Sequence, residues 1–269
     1  MVSSDFHIHT SFSGDSDTPM KNMIEKGIMS GLQIMCFTEH MDLDYDSQCE
    51  ENFQLDTDKY LQSYLNYKEQ YKDKIDLRFG VELGLQPHLA QTHQEYLADF
   101  PFDFVIGSSH LVHGIDPYYP KYFQGRQEDD CIKEYFESIL ENLKAFSGFD
   151  VYGHIDYIIR YCPSQKKDYS FEKNFDIIDE ILKTIIALGK GIEINTGGFK
   201  YGLAHPNPHE DILKRYRELG GEIITMGSDA HVCDYLGFQF SKAAEILQQT
   251  GFRYYTVFKN RIPKFLPLK

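Results

Sequence analysis

Two short histidine motifs, one towards each end of the chain, contain residue types that bind metal ions. His7-Ile8-His9 closes a short strand-like run, and Gly227-Ser228-Asp229-Ala230-His231 lies far along the chain. Side chains at positions i and i+2 of a strand point to the same face, so both imidazoles of the first motif can reach one ion. The second motif adds a carboxylate and another imidazole. Together they predict a metal centre that both ends of the chain share.

Further segments that end in a histidine or a glutamate belong with these motifs. They are Phe37-Thr38-Glu39-His40, Gly80-Val81-Glu82, Ser108-Ser109-His110 and Tyr152-Gly153-His154. Neutral imidazole and carboxylate are groups that Zn²⁺, Mn²⁺ and Fe²⁺ accept, and such ligand sets discriminate poorly between these ions. Because the segments lack cysteine, a closed thiolate site of structural type is disfavoured. The pattern predicts a multinuclear centre with positions open to water.

Short β-rich runs alternate with helical segments along the chain and would position these residues. The predicted strands are Ser4 to His9, Gln33 to Thr38, Asp76 to Glu82, Phe102 to Ser108, Asp150 to His154, Gly191 to Asn195 and Glu222 to Met226. The predicted helices are Pro19 to Ser30, Thr57 to Asp73, Pro87 to Asp99, Gln127 to Phe146, Phe171 to Leu188, Pro208 to Leu219 and Ser241 to Gln249. A further strand is predicted at Tyr254 to Phe258. Such repeats of strand and helix indicate an α/β protein with a parallel sheet.

About seven strand-helix units favour a closed or nearly closed barrel, with an open doubly wound sheet as the alternative. The candidate ligands support the barrel because they fall at or just past the carboxyl ends of predicted strands. Barrel active sites are built at that end. No Pro/Gly/Ser-rich linker or internal repeat divides the chain, so a single domain is expected.

The composition limits the classes of function. The 269 residues are 42% hydrophobic and carry a formal net charge of −14, which disfavours a protein that binds nucleic acid by neutralising phosphates. The cysteines are odd in number and show no C-x-x-C spacing, so a disulfide scaffold is not expected. The amino terminus lacks a signal-peptide pattern, and no apolar stretch is long enough to span a bilayer. We expect a cytoplasmic protein with no membrane partner.

The ordered set of motifs resembles the polymerase and histidinol phosphatase (PHP) family, and within it the stand-alone histidinol-phosphate phosphatases. The resemblance covers nearly the whole chain and implies one phosphatase domain over residues 1–269, a distorted (β/α)₇ barrel with three divalent metal ions. By analogy, the first ion is held by His7, His9, Glu82 and Asp229, the second by Glu82, His110 and His154, and the third by Asp15, His40 and His231. Many relatives place a histidine where this chain has Asp15, and Asp17 competes for the role. Glu39 would orient a ligand.

This resemblance implies hydrolysis of L-histidinol phosphate to L-histidinol and phosphate in histidine biosynthesis. A trinuclear centre stays net positive beside its carboxylates, so it would attract a small phosphomonoester, and a metal-bridging hydroxide would attack phosphorus. Asp229 or His231 would protonate the leaving oxygen. Arg160 is the candidate phosphate clamp, Lys200 stands where a second basic residue is expected, and His113 is a candidate substrate contact. The alternatives are a PHP-type nuclease or nucleotide phosphodiesterase and a non-catalytic metal-binding interaction domain.

Overall fold

Seven parallel strands form the centre of the molecule, in a computed structural model that describes residues 2–45, 53–164 and 171–268. The strands are β1 (Ser4–Ile8), β2 (Ile34–Met41), β3 (Asp76–Gly84), β4 (Phe104–Ser108), β5 (Val151–Tyr152), β6 (Gly191–Asn195) and β7 (Ile224–Gly227). They pair in chain order, so each strand neighbours the one before it. The α/β class and the parallel sheet predicted from the sequence are confirmed.

The first and last strands meet where the two opening motifs lie. The backbone N–H of His9 donates to the carbonyl of Ala230 at 3.0 Å, and the N–H of Asp229 donates to the carbonyl of His7 at 2.9 Å. Gly227 permits this approach, because a Cβ at this position would lie 2.4 Å from His7 Cβ. These contacts make the sheet a nearly closed barrel, as the sequence predicts, rather than an open doubly wound sheet.

Helices surround the barrel in the crossovers between strands. They are α1 (Met20–Met29), α2 (Thr57–Tyr71), α3 (Ala90–Asp99), α4 (Glu128–Ala145), α5 (Phe175–Ala187), α6 (Gly197–Lys200), α7 (Glu210–Glu218) and α8 (Phe240–Gln249). Gly31, Gly189 and Gly220 have positive φ angles just after α1, α5 and α7, where the sequence predicts helix ends. None of the helices among the described residues is long and apolar enough to cross a membrane.

A β-hairpin closes the amino-terminal end of the barrel, opposite the ligands. Strands β8 (Tyr254–Lys259) and β9 (Ile262–Pro267) pair antiparallel, and the ring of Phe258 packs 5.0 Å from that of Phe104. Arg78 Nε donates to the carbonyl of Phe258 at 3.1 Å, and Arg261 pairs with Asp150. Burying a side chain such as Phe104 stabilises the fold by about 1.5–3 kcal/mol. The hairpin therefore seals the core without approaching the ligands.

Some predicted boundaries differ from the structure. Strand β2 extends to Met41, so Glu39 and His40 lie within it rather than after it. Strand β9 is missing from the prediction because its side chains are mostly exposed and include two prolines, so no alternating apolar pattern marks it. Among the described residues no disulfide forms, and Cys49 lies outside them.

Candidate metal centre

The candidate ligands lie together at the carboxyl-terminal end of the barrel, and we call them the ligand cluster. Its members are His7, His9, Asp15, His40, Glu82, His110, His154, Asp229 and His231. Each except Asp15 lies in a strand or within four residues after one, so the barrel itself fixes its position. Asp15 lies in the loop between β1 and α1. Parallel strands that end at one rim thus bring together side chains that are far apart in sequence.

Glu82 lies in the middle of the ligand cluster, and its two carboxylate oxygens face different imidazoles. Its Oε2 atom is 3.0, 3.4 and 3.2 Å from His7 Nε2, His9 Nε2 and His40 Nδ1. Its Oε1 atom is 3.2 and 3.0 Å from His110 Nε2 and His154 Nε2, and accepts a hydrogen bond from Ser108 Oγ at 2.6 Å. The two oxygens of Glu82 therefore face separate groups of candidate ligands.

Asp229 and Asp15 extend the cluster on the side of β7. Asp229 Oδ1 lies 3.6 Å from His9 Nε2 and 3.7 Å from His231 Nδ1. Asp229 has a left-handed backbone with φ 56°, a strained conformation that is common at functional sites. Asp15 Oδ2 lies 3.0 Å from His231 Nε2 and 3.6 Å from His40 Nε2. Asp17 is exposed and has no such contact among the described residues, so the geometry favours Asp15 over Asp17.

The hydrogen bonding of the cluster fits divalent cations. Five overlapping groups have ligand atoms within 4.8 Å of one another, and three of them are His7, His9 and Glu82; Glu82, His110 and His154; and His9, His40 and His231. His9 Nε2 and His40 Nδ1 are buried without a hydrogen-bond partner, although each lies within 3.4 Å of Glu82 Oε2. Buried polar atoms normally have hydrogen bonds. Atoms that converge in this way without bonding to one another suit coordination of a cation between them.

The charges in the cluster also suit divalent cations. Burial alone would raise the pKa of Glu82, but the neighbouring His7, His110 and His40 hold that pKa well below its ordinary value. Burial opposes protonation of His7, yet Glu193, Glu82 and Asp229 raise its pKa well above the ordinary value. In His9, burial and then the positive charge of His40 lower the pKa, which leaves the neutral imidazole that metal binding requires. The buried carboxylates therefore need positive charge beside them.

Glu193 on β6 contacts His7 and His154 of the cluster and is absent from the sequence-based ligand set. Its Oε2 atom lies 2.9 Å from His7 Nδ1, and its Oε1 atom accepts the backbone N–H of His154 at 2.8 Å and the amide N–H of Asn195 at 3.0 Å. A carboxylate on the far nitrogen of a ligand imidazole fixes its tautomer and orientation. The signal in the sequence is two polar residues, Glu193 and Asn195, that alternate with isoleucines in a buried strand.

Two other carboxylates position ligand imidazoles. Asp42 Oδ1 lies 2.8 Å from His110 Nδ1, and sequence reasoning does not identify Asp42. Glu39 accepts hydrogen bonds from Thr10 and from Ser13 Oγ, and Ser13 Oγ lies 3.0 Å from His9 Nδ1. Glu39 thus acts on His9 through Ser13, which agrees with its predicted role in orienting a ligand.

A cavity of about 230 Å³ opens beside the cluster, and Arg160 lines it. Arg160 lies in a short 3₁₀ helix, Tyr157–Tyr161, after β5. Its Nε donates to Asn207 Oδ1 at 2.8 Å, Nη1 to Asp229 Oδ2 at 2.9 Å and Nη2 to Asn195 Oδ1 at 3.0 Å. These bonds use three of the five N–H donors of a guanidinium and fix its plane. The remaining donors are available to a phosphate beside the ligand cluster.

The other predicted substrate contacts lie outside this cavity. Lys200 Nζ lies 4.9 Å from the ring centroid of Tyr235 and 5.5 Å from that of Tyr201. His113 is half-exposed and faces Glu134 and Glu141 at 3.5 and 3.2 Å, beside a separate surface pocket. In the described structure neither side chain lines the cavity, so we do not include them in the proposed mechanism.

The tyrosines of the segment after β4 separate into two groups. Tyr118 and Tyr119 line the cavity. Tyr122 does not, because its side chain is buried and its hydroxyl donates to the carbonyl of Cys131 at 2.9 Å. Tyr122 therefore belongs to the core and does not face the cavity.

Comparison with known proteins gives one family. The PHP domain model matches residues 5–197. A histidinol-phosphatase from Lactococcus lactis subsp. lactis is 30% identical, over 92% of this chain and 91% of the relative. A probable histidinol-phosphatase from Clostridium acetobutylicum is 33% identical, over 97% of this chain and 98% of the relative. The crystal structure of histidinol phosphate phosphatase from L. lactis, complexed with zinc, L-histidinol and phosphate, matches with a TM-score of 0.88 at 29% identity, over 97% of this chain and 98% of that chain.

Proposed function

Because this chain belongs to the PHP domain family, we propose that it is a metal-dependent phosphomonoesterase that hydrolyses L-histidinol phosphate to L-histidinol and phosphate. One observation carries this proposal: Arg160 and members of the ligand cluster line the same small cavity. The chain also resembles histidinol-phosphatases over nearly its whole length. We propose further that the reaction serves histidine biosynthesis in the cytoplasm.

We propose that the cluster holds three divalent ions. His7, His9, Glu82 and Asp229 would hold the first, Glu82 with His110 and His154 the second, and Asp15, His40 and His231 the third. The ligand types suit Zn²⁺, Mn²⁺ or Fe²⁺. When bound, such ions supply Lewis-acid stabilisation of the phosphoryl oxygens and activate water.

The side chains provide binding, orientation and proton transfer. Arg160 would hold phosphate oxygens with its remaining N–H groups, while its bonds to Asn195, Asn207 and Asp229 keep the guanidinium in place. The leaving alkoxide needs a proton from a group on the cavity wall, and Asp229 and His231 both line it. Asp229 Oδ2 accepts hydrogen bonds from Arg160 and Asn195, so Oδ1 is the oxygen that faces the ligand cluster.

The cavity itself favours a small substrate over a nucleic acid strand. Arg160 is the only lysine or arginine among the described residues that line it, whereas four aspartates do so: Asp15, Asp42, Asp116 and Asp229. A groove for a polyanionic backbone would carry several cations along its length. This argues against the nuclease alternative.

A substrate comparison on metal-reconstituted protein tests the proposal. The assay measures kcat/KM for L-histidinol phosphate beside other phosphomonoesters and a phosphodiester. We expect histidinol phosphate to be preferred and the diester to be a poor substrate. Equal, low rates on all monoesters would exclude the assigned substrate, preference for the diester would support a nuclease, and no turnover at full metal occupancy would support a binding domain.

A further inference from the structure

One side of the cavity is formed by aromatic rings that touch one another, and we call it the tyrosine wall: Tyr118, Tyr157, Tyr161 and Tyr201. The ring centroid of Tyr161 lies 5.4 Å from that of Tyr118, 5.0 Å from that of Tyr157 and 5.8 Å from that of Tyr201. Tyr157 also packs 5.0 Å from the ring of His154 in the ligand cluster. The wall is therefore continuous from the cluster to Tyr118.

Arg160 lies at one end of the tyrosine wall. Its guanidinium carbon lies 4.9 Å from the ring centroid of Tyr201 and 5.5 Å from that of Tyr157, distances typical of cation–π contacts. The positive charge of Arg160 and the proposed phosphate position therefore lie at the same end of the tyrosine wall.

Asp116 lies at the other end, beside Tyr118. Its side chain lines the cavity although the residue is only 6% exposed. Its Oδ1 accepts the backbone N–H of Tyr118 at 2.7 Å, and its Oδ2 accepts the hydroxyl of Tyr45. Both donors are neutral, and among the described residues no lysine, arginine or histidine forms an ion pair with Asp116. A buried carboxylate without an ion-pair partner is costly unless a charged partner arrives.

We infer that Asp116 binds the protonated amino group of the substrate and so selects phosphomonoesters that carry an ammonium group. This inference rests on the proposed function and deepens it. In L-histidinol phosphate the ammonium group lies on the carbon next to the CH2 that bears the phosphate ester, and Arg160 and Asp116 line one cavity that can receive both charges. The imidazole is the far end of the substrate, and the tyrosine wall offers it ring faces.

The amino group is a better partner for Asp116 than the imidazole. An amine with a pKa near 8 is mostly charged at neutral pH, whereas an imidazole with a pKa of about 6.5 is mostly neutral. Only the charged amino group brings the positive charge that compensates the buried carboxylate. The neutral imidazole ring can pack against the tyrosine rings and needs no charged partner.

Asp116→Asn tests the inference because it removes the charge and keeps the shape. The amide oxygen can still accept the Tyr118 N–H, and the amide N–H₂ group can donate to Tyr45. The assay compares L-histidinol phosphate with its desamino analogue, imidazolylpropyl phosphate, on metal-loaded enzyme. We expect kcat/KM for histidinol phosphate to fall roughly 10- to 100-fold, in line with loss of a charged hydrogen bond, while the rate on the desamino analogue stays within about threefold.

Two further variants keep the result interpretable. Asp99→Asn makes the same change on an exposed residue at the end of α3, and it should leave both rates unchanged. Asp116→Glu retains the charge and should recover part of the preference for the amine. Metal content, measured by mass spectrometry, should match the wild type in every variant.

The outcomes separate this inference from the function on which it rests. If the Asp116→Asn enzyme still prefers histidinol phosphate to the desamino analogue, the assignment of Asp116 is wrong. The proposed function is unaffected by that result. An equal fall on both substrates would overturn the assignment too, since the residue would then act on the centre. Wild-type enzyme that fails to hydrolyse histidinol phosphate while it hydrolyses other monoesters would overturn the proposed function.

Discussion

The ligand cluster and the tyrosine wall face the same cavity but are built from different parts of the barrel. Most cluster residues lie on strands or directly after them and are held by buried carboxylates such as Glu193 and Asp42. The wall residues lie on loops, on the 3₁₀ helix after β5 and at the end of α6. The barrel frame thus fixes the reacting groups, while its connections form the surface that meets the rest of the substrate.

This difference predicts two kinds of effect when residues are substituted. Changes in the ligand cluster should reduce the rate on every phosphomonoester, because every substrate carries the same phosphate. Changes in the tyrosine wall should alter the choice between substrates, because only part of each substrate reaches the wall. The following variants test this separation, from the largest expected effect on activity to the smallest.

Glu82→Gln should cause the greatest loss. It removes the negative charge that faces both groups of imidazoles, so metal content should fall and turnover of all monoesters should drop about 1,000-fold or more. Mass spectrometry of bound metal and a phosphate-release assay measure both effects. Glu180→Gln, an exposed residue of α5, is the matched control. A Glu82→Gln enzyme with full metal and near-normal rates would contradict the role of the cluster.

Arg160→Lys should lower the rate by about 100-fold and leave the metal content unchanged. Lysine retains the charge beside Asp229 but cannot reproduce the three fixed bonds or the planar contact with phosphate. The loss should be similar for all monoesters, and inorganic phosphate should inhibit less strongly. Arg126→Lys, on the surface, serves as the control. Loss of metal in Arg160→Lys would show that this residue supports the cluster instead.

Glu193→Gln should have an intermediate effect. The amide weakens the contact with His7 Nδ1, and removal of such a partner typically costs about 10- to 100-fold in metal affinity. Titration of the metal-free protein with Mn²⁺ gives the affinity, and excess Mn²⁺ should restore much of the rate. A variant with normal affinity but a persistently low rate would contradict a positioning role.

Tyr161→Leu should be selective. The leucine loses ring contacts with Tyr118, Tyr157 and Tyr201, which are worth about 0.5–1.5 kcal/mol each beyond area burial. KM for histidinol phosphate should rise about three- to tenfold, while phosphoethanolamine, which has no ring, should be little affected. Equal losses on both substrates would remove the distinction between the wall and the cluster.

Arg261→Ala should change stability and leave turnover unaffected. Arg261 pairs with Asp150 at the opposite end of the barrel, where the β8–β9 hairpin covers the core. Because this arginine is partly exposed, we expect a loss of about 1–2 kcal/mol, or roughly 2–6 °C in Tm. Thermal unfolding measures the shift. A fall in kcat at a temperature where the variant is folded would mean that the two ends of the barrel are coupled.

The sequence predicts the strand-borne part of the site well. The cluster residues lie at or just past the carboxyl ends of predicted strands, and parallel strands must end at one rim, so the strand pattern by itself groups His7, Glu82 and His154. The barrel follows from the same pattern. Asp15 is harder to predict because it lies in a loop, where the sequence offers Asp17 as an equal candidate.

The loop-borne part depends on long-range contacts that no local pattern reveals. Asp116 looks like any loop aspartate, and only the fold places it beside Tyr45 in the cavity. Tyr122 lies close to Tyr118 and Tyr119 in sequence, yet it packs into the core. His113 is three residues beyond His110, but it is half-exposed and faces Glu141. Spacing along a chain predicts direction on a strand and fails in a loop.

Metal removal and return tests the central claim most directly. The protein is stripped with a chelator and titrated with Mn²⁺, while bound metal and phosphate release from L-histidinol phosphate are followed together. The account predicts no turnover without metal and recovery that saturates at about three ions per chain. Full turnover by the metal-free chain would contradict it, and so would saturation of bound metal without recovery of histidinol phosphate hydrolysis.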